Sequence, residues 1–187
     1  MSAYHVMLVH FPIALWTTAF LIILARALSD APPVRAAEGA LTPLLAFGAL
    51  TGAAAFGAGL LVWPPEAVAS SPLARNHVLL GAWSLTYWTL LWVVRWRAGQ
   101  RVWEGMLRWL MLGLAALGVG LQTLTGTIGG YLAGNPSAVS EIVRKLGWEV
   151  FTTFYLPSWM LAVVVVAALV LAGLGIGGSR IPAQSRT

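Results

Sequence analysis

The sequence has no cysteine, and that one absence removes disulfides, iron–sulfur ligation, thioether attachment of haem and thiol catalysis. Any cofactor is left to histidine, methionine or noncovalent contacts. Charge is scarce as well: 9% of the 187 residues are charged, and only six are acidic. All six carboxylates, Asp30, Glu38, Glu66, Glu104, Glu141 and Glu149, fall in loops or at the ends of apolar runs. That placement excludes a carboxylate proton relay or cation site through the middle of a membrane. No Walker loop, dinucleotide fingerprint, HExxH helix or GxSxG elbow occurs, which argues against a self-contained hydrolase. Nor does any Gly/Ser linker, charge block or low-complexity tract divide the chain, so residues 1–187 read as a single domain.

What the sequence does have is hydrophobic length. With 59% hydrophobic residues and a mean hydropathy of +0.81, the composition is that of an integral membrane protein. Runs able to cross roughly 30 Å of hydrocarbon at about 1.5 Å per residue occur five times: Val9–Ala27, Ala40–Val62, Val78–Val94, Trp109–Leu132 and Phe151–Gly175. The continuity of these runs excludes a β-barrel, whose strands alternate. The predicted fold is an all-α bundle of five transmembrane helices. The net charge of +5 does not point to nucleic acid, because the basic residues sit beside the spans and act as topology signals.

Those signals give an orientation. Arg26, Arg35, Arg95, Arg97, Arg101, Arg108, Arg180 and Arg186 sort to one side, against Arg75, Arg144 and Lys145 on the other. The positive-inside rule then places the N-terminus outside and the C-terminus inside, with the outer face periplasmic in a bacterial inner membrane. No basic residue precedes the first span and no small-residue cleavage site ends it, so it is expected to stay in the mature protein. Tryptophans mark the boundaries as an interfacial belt: Trp63 closes span two, Trp92 and Trp96 close span three, Trp103 and Trp109 open span four.

Within the spans, Gly48, Gly52, Gly57 and Gly59 let backbones approach closely along span two, and Gly113, Gly118, Gly120 and Gly126 do so along span four. Gln122, Thr123, Thr125 and Thr127 add a polar band that either bonds between helices or lines a site. After span four, Asn135 suits an N-cap and Pro136 a first helical position. Val139, Ile142, Val143, Leu146 and Val150 then form one face, with Glu141, Arg144, Lys145 and Glu149 on the other. This predicts a short periplasmic amphipathic helix over about 136–149, lying on the membrane surface and able to cap a site beneath it.

Three histidines, His5, His10 and His77, all fall at that outer face. An imidazole in a span is a functional candidate by default. His10 is the deepest, and Pro12 predicts that the chain bends or begins its main helix just below it. His5 and His10 are about 140° apart around a continuous helix, so they do not readily serve one metal from one face. The arrangement expected is therefore a b-type haem clamped between His10 and His77 on different helices, with Gly81 leaving room for the macrocycle and Trp83 and Tyr87 packed near it. His5 is then an alternative ligand or a hydrogen-bond partner in a quinone site. Competing expectations are a three-histidine zinc or copper site, or no cofactor and simple polar packing.

The string HVMLVHFPIAL at His5–Leu15 resembles the HPxxVHFPIAL signature of a bacterial membrane-protein family, domain-of-unknown-function family 2231, with Val6 in place of the usual proline. The likeness continues through the glycine- and alanine-rich second span, His77 at the opening of the third, and GTIGGYLAG at Gly126–Gly134. It covers residues 5–134, a four-span core to which the fifth span at 151–175 is an addition. The family's further histidine after the Gly-Gly segment has no counterpart here. The resemblance implies electron transfer, since such domains are found joined to Rieske-type modules. Sequence and resemblance together lead to a haem b membrane subunit passing electrons between the quinone pool and a periplasmic redox partner, embedded in lipid and assembled with other subunits. The rivals are a cofactor-free structural or assembly subunit of a larger complex, and a carrier of a metal ion or haem.

Overall fold

A computed structural model of the chain describes residues 2–147 and 158–179. The described residues are helical wherever they are regular: α1 (Ser2–Leu28), α2 (Pro32–Glu38), α3 (Leu41–Leu60), α4 (Pro65–Ser70), α5 (Pro72–Ala98), α6 (Leu107–Leu132), α7 (Ala138–Lys145) and α8 (Ser158–Ser179), with a 3₁₀ turn at Gly99–Trp103. Prolines open three of these helices, at Pro32, Pro65 and Pro72, where a missing N–H costs nothing. Ser71 caps α5, its hydroxyl accepting from the Ala74 N–H. Gly99, at φ +57, ends α5 in a conformation few side chains adopt.

Four segments are long and apolar enough to cross a membrane: Ser2–Leu28, Pro32–Leu60, Pro72–Trp103 and Leu107–Leu132. The fifth apolar helix is shorter, Ala162–Gly178, and the first part of the fifth run, 151–157, lies outside the described residues. A main helix beginning just below His10, one of the two expectations for the first span, is not found. α1 is helical from Ser2 and continues through a buried Pro12, so His10 sits inside the helix rather than above its start. Proline removes one intrahelical bond, and the long helical stretches packed on either side hold the remaining turns.

The four long helices form a closed ring in which α1 packs on α3, α3 on α5, α5 on α6 and α6 on α1, leaving α1 and α5 diagonal to each other. α8 stands outside this ring against α6. At the centre, Trp16 of α1 and Trp88 of α5 stack with centroids 5.4 Å apart and planes 8° from parallel. Such a pair adds roughly 0.5–1.5 kcal/mol beyond its burial. Each indole lies on glycine. A β-carbon at Gly48 would stand 2.2 Å from Trp16 Nε1, and one at Gly118 would stand 2.9 Å from Trp88 Cε2. The bundle closes because these positions have no side chain.

Gly48→Val should therefore lower stability by about 1–3 kcal/mol through overpacking, whereas Gly57→Val, where a β-carbon meets nothing within 4 Å, should have little effect. Thermal unfolding of the two variants in one detergent checks the contrast. Equal midpoints would remove the glycine seat from the account of packing.

Candidate histidine site

α1 and α5 both begin at the same end of the bundle, which brings His5 and His77 together edge to face. Their ring centroids are 6.3 Å apart and the planes meet at 88°. Each ring is held from behind by the neighbouring helix. His5 Nδ1 lies 2.9 Å from the Ala55 carbonyl of α3, and His77 Nδ1 lies 3.2 Å from the Thr125 carbonyl of α6. A carbonyl can only accept, so Nδ1 carries the proton in both rings and Nε2 keeps its lone pair in the neutral form. The rings also rest on glycine: a β-carbon at Gly59 would come within 2.8 Å of His5 Cε1, and one at Gly129 within 2.8 Å of His77 Cε1.

His10 is placed elsewhere. It is exposed, and its Nδ1 lies 2.7 Å from the Val6 carbonyl of its own helix. The structure thus brings His5, rather than His10, opposite His77. The cause is angular: with α1 continuous, five residues turn His10 about 140° away from His5. The space expected at Gly81 is bordered by Phe56, whose ring would be 3.4 Å from a β-carbon there. Trp83 is 65% exposed and turned out of the bundle. Tyr87 ties α5 to α6, donating to the Leu114 carbonyl at 2.7 Å. Among the described residues no three His, Asp or Glu side chains gather as a metal site, so the three-histidine cluster is not assembled.

In the polar band of α6, Gln122 joins helices, whereas the Thr125 hydroxyl donates to the Leu121 carbonyl of its own helix. Gln122 Nε2 donates to the Ile13 carbonyl at 3.3 Å and to Thr17 Oγ1 at 3.0 Å, tying α6 to α1. Thr127 is buried and accepts from Ser137 at 3.4 Å. The amphipathic helix is present as α7, but Ser137 is its N-cap, accepting from the Ser140 N–H. Asn135, expected in that role, instead folds the chain back at the end of α6, its N–H donating to the Gly130 carbonyl at 2.8 Å. Val143 is buried on Ile128, with Leu73 and Leu80, the neighbours of His77 on α5, against the same cluster. α7 therefore leans on the His77 side of the bundle. Glu149 and Val150 lie outside the described residues.

At the opposite end is a buried ion cluster that the sequence pattern did not reveal. Glu38 is 4% exposed and accepts from Arg26 Nε at 2.9 Å, Arg95 Nη2 at 2.7 Å and Gln100 Nε2 at 2.8 Å. Trp103 lies beneath both guanidiniums, with centroid distances of 5.3 Å and 6.0 Å. This corrects its assignment to the interfacial belt, where Trp63, Trp96 and Trp109 remain exposed as expected. Arg26 also pairs with the exposed Asp30 and holds its carboxyl below the usual range. A depressed carboxylate pKa contributes stability above the ordinary carboxylate range and loses it as pH falls through the folded value.

The family model described as "Predicted membrane protein (DUF2231)" matches residues 2–141. No curated protein and no solved structure matches the chain.

Removing the Glu38 carboxylate leaves the buried Arg95 guanidinium without a counter-charge and Arg26 with the exposed Asp30 alone, a loss of about 3–5 kcal/mol. Glu38→Gln should accordingly lower the unfolding midpoint, and adding Arg95→Met should restore part of it. A double variant no more stable than Glu38→Gln alone would show that the two side chains are not coupled.

Proposed function

The chain belongs to domain-of-unknown-function family 2231, a family of predicted membrane proteins, and we propose that it is a haem b-binding subunit carrying electrons between the quinone pool and a periplasmic redox partner, with His5 and His77 as the iron ligands. One observation carries this reading: two imidazoles from different spans oppose each other, each with Nδ1–H donated to a backbone carbonyl. That is the outer-shell arrangement typical of metal-ligating histidine, because it fixes ring and tautomer and leaves Nε2 as the donor atom. His5 and His77, with ring centroids 6.3 Å apart, are the side chains that would hold the iron. When bound, haem supplies a one-electron couple. The protein's part is to orient the imidazoles, with Gly59 and Gly129 allowing α3 and α6 to close behind them.

In this reading His10 is a surface histidine, α7 shields the His77 side of the site from the periplasm, and α8 with the residues before it makes the fifth crossing. The chain sits in a bacterial inner membrane with its N-terminus periplasmic and C-terminus cytoplasmic, the side carrying Arg35, Arg97 and Arg101 facing inward. The rival reading, a cofactor-free structural subunit packing its glycine faces on neighbouring chains, loses much of its material. Gly48, Gly52, Gly59, Gly118 and Gly129 are already occupied by the chain's own rings, and the open faces left on the described long helices are those of Gly57, Gly120, Gly126 and, on α8, Gly173.

Gently purified protein, isolated with its native partners and examined oxidised and then reduced, should show a low-spin b-type α-band. His5→Ala or His77→Ala should abolish it or convert it to a high-spin spectrum, and His10→Ala should retain it. Wild-type protein without haem but with stoichiometric zinc or copper, lost on His5→Ala, would favour a metal-ion site; absence of both would leave the structural subunit. Reporter fusions at Gly99 and Pro136 test the orientation separately, the first expected inside and the second outside. The reverse pattern would move the histidines to the cytoplasmic face.

A further inference from the structure

The bundle repeats itself. His77 follows His5 by 72 positions and Trp88 follows Trp16 by the same 72, while Gly118 follows Gly48 and Gly129 follows Gly59 by 70. Contacts repeat along with positions. His5 of α1 bonds the Ala55 carbonyl of α3 and rests on Gly59, four residues further on; His77 of α5 bonds the Thr125 carbonyl of α6 and rests on Gly129, again four residues further on. Trp16 lies on Gly48 just as Trp88 lies on Gly118. Even side chains of unlike chemistry keep the register of burial: Pro12 with Ser84, and Ile23 with Arg95.

Helix geometry accounts for the seat. Residues four apart lie one above the other on a helix face, so the accepting carbonyl and the bare glycine present a single surface against which an imidazole packs with Nδ1 at the oxygen and Cε1 at the glycine. A β-carbon at the glycine would press on Cε1, and the ring can retreat only by leaving the carbonyl and swinging away from its opposite number. From this duplicated cassette we infer that the four-helix ring is two equivalent helical hairpins, α1–α3 and α5–α6, joined about an approximate two-fold axis, and that Gly59 and Gly129 are the positioning residues for His5 and His77. What the imidazoles hold rests on the function proposed above; how they are held does not.

The test uses ¹⁵N-histidine-labelled full-length protein under reducing conditions, with the three histidines assigned by single His→Gln variants. Gly59→Ala should move the ring-nitrogen signals of His5, and Gly129→Ala those of His77, each with loss of the Nδ1–H signature and with His10 unmoved as an internal reference of folding. Gly57→Ala and Gly126→Ala, whose β-carbons meet nothing within 4 Å, should leave all three unmoved. Signals insensitive to Gly59→Ala and Gly129→Ala would overturn the inference.

A second measurement does not depend on the glycine variants folding. Because the chain has no native cysteine, a His5→Cys/His77→Cys protein should be joined internally by a short bis-thiol reagent, and His10→Cys/His77→Cys should not. Equal joining of both pairs, or of neither, would also sink it. Titration with haem b separates the two proposals: glycine-sensitive imidazoles in protein that takes no haem would defeat electron transfer and leave the repeat standing. Haem bound at the His5/His77 pair with its α-band unchanged in both Gly→Ala variants would do the opposite.

Discussion

The packing of this protein depends on rings crossing helices where no β-carbon stands. In a membrane the hydrophobic effect gives little reason for one span to prefer another over lipid, so association comes from close contact and hydrogen bonds. Glycine supplies both here. It lets an indole or imidazole reach the backbone of the facing helix, and it exposes the carbonyl that the ring N–H needs, as with Trp88 Nε1 on Gly118 at 3.2 Å. At Trp88 a buried aromatic N–H and a close helix approach are thus met by one substitution of hydrogen for side chain, whereas Trp16 Nε1 on Gly48 finds no acceptor among the described residues. The opposed histidines are placed by the same device as the stacked tryptophans.

The charged end of the bundle obeys a different rule. Arg26, Glu38 and Arg95 are each at most 9% exposed in their side chains, an environment tolerable only when every charge has a partner. Glu38 meets that need from the short helix α2, Gln100 from the 3₁₀ turn, and Trp103 adds its π-face. Segments that look like plain connectors in the sequence are therefore structural members that neutralise the ends of α1 and α5. Both poles of the bundle are fixed by polar chemistry, with an apolar middle between them.

Much of this was legible in the sequence. Four apolar runs became α1, α3, α5 and α6, and the valine–isoleucine face after Pro136 became α7. The level of the histidines was legible as well, since it follows from counting spans. Their pairing was not, because the sequence does not say whether α1 runs on through Pro12, and a continuous α1 makes azimuth decisive and turns His10 outward. Trp103 was misassigned for a related reason. Nothing local distinguishes an interfacial tryptophan from one held beneath Arg95 and the Arg26 of a different span. The duplicated cassette did leave a signal, His-Val-x-Leu at His5 and again at His77, each followed eleven residues later by Trp-Thr. It becomes visible only when the first and third spans are laid side by side.

A repeat unit of two spans has a property that a unit of one or three spans lacks. Passing through it returns the chain to the side of the membrane from which it set out, so the second copy enters with the polarity of the first. Copying such a unit reproduces the sidedness of every residue in it, and a histidine near the mouth of the first hairpin necessarily finds its duplicate at the same mouth. Units of odd span number are inverted on duplication, and their paired sites meet at mid-membrane. The level shared by His5 and His77 is in this sense a matter of parity, and the facing of the two rings is what the packing of the halves adds to it.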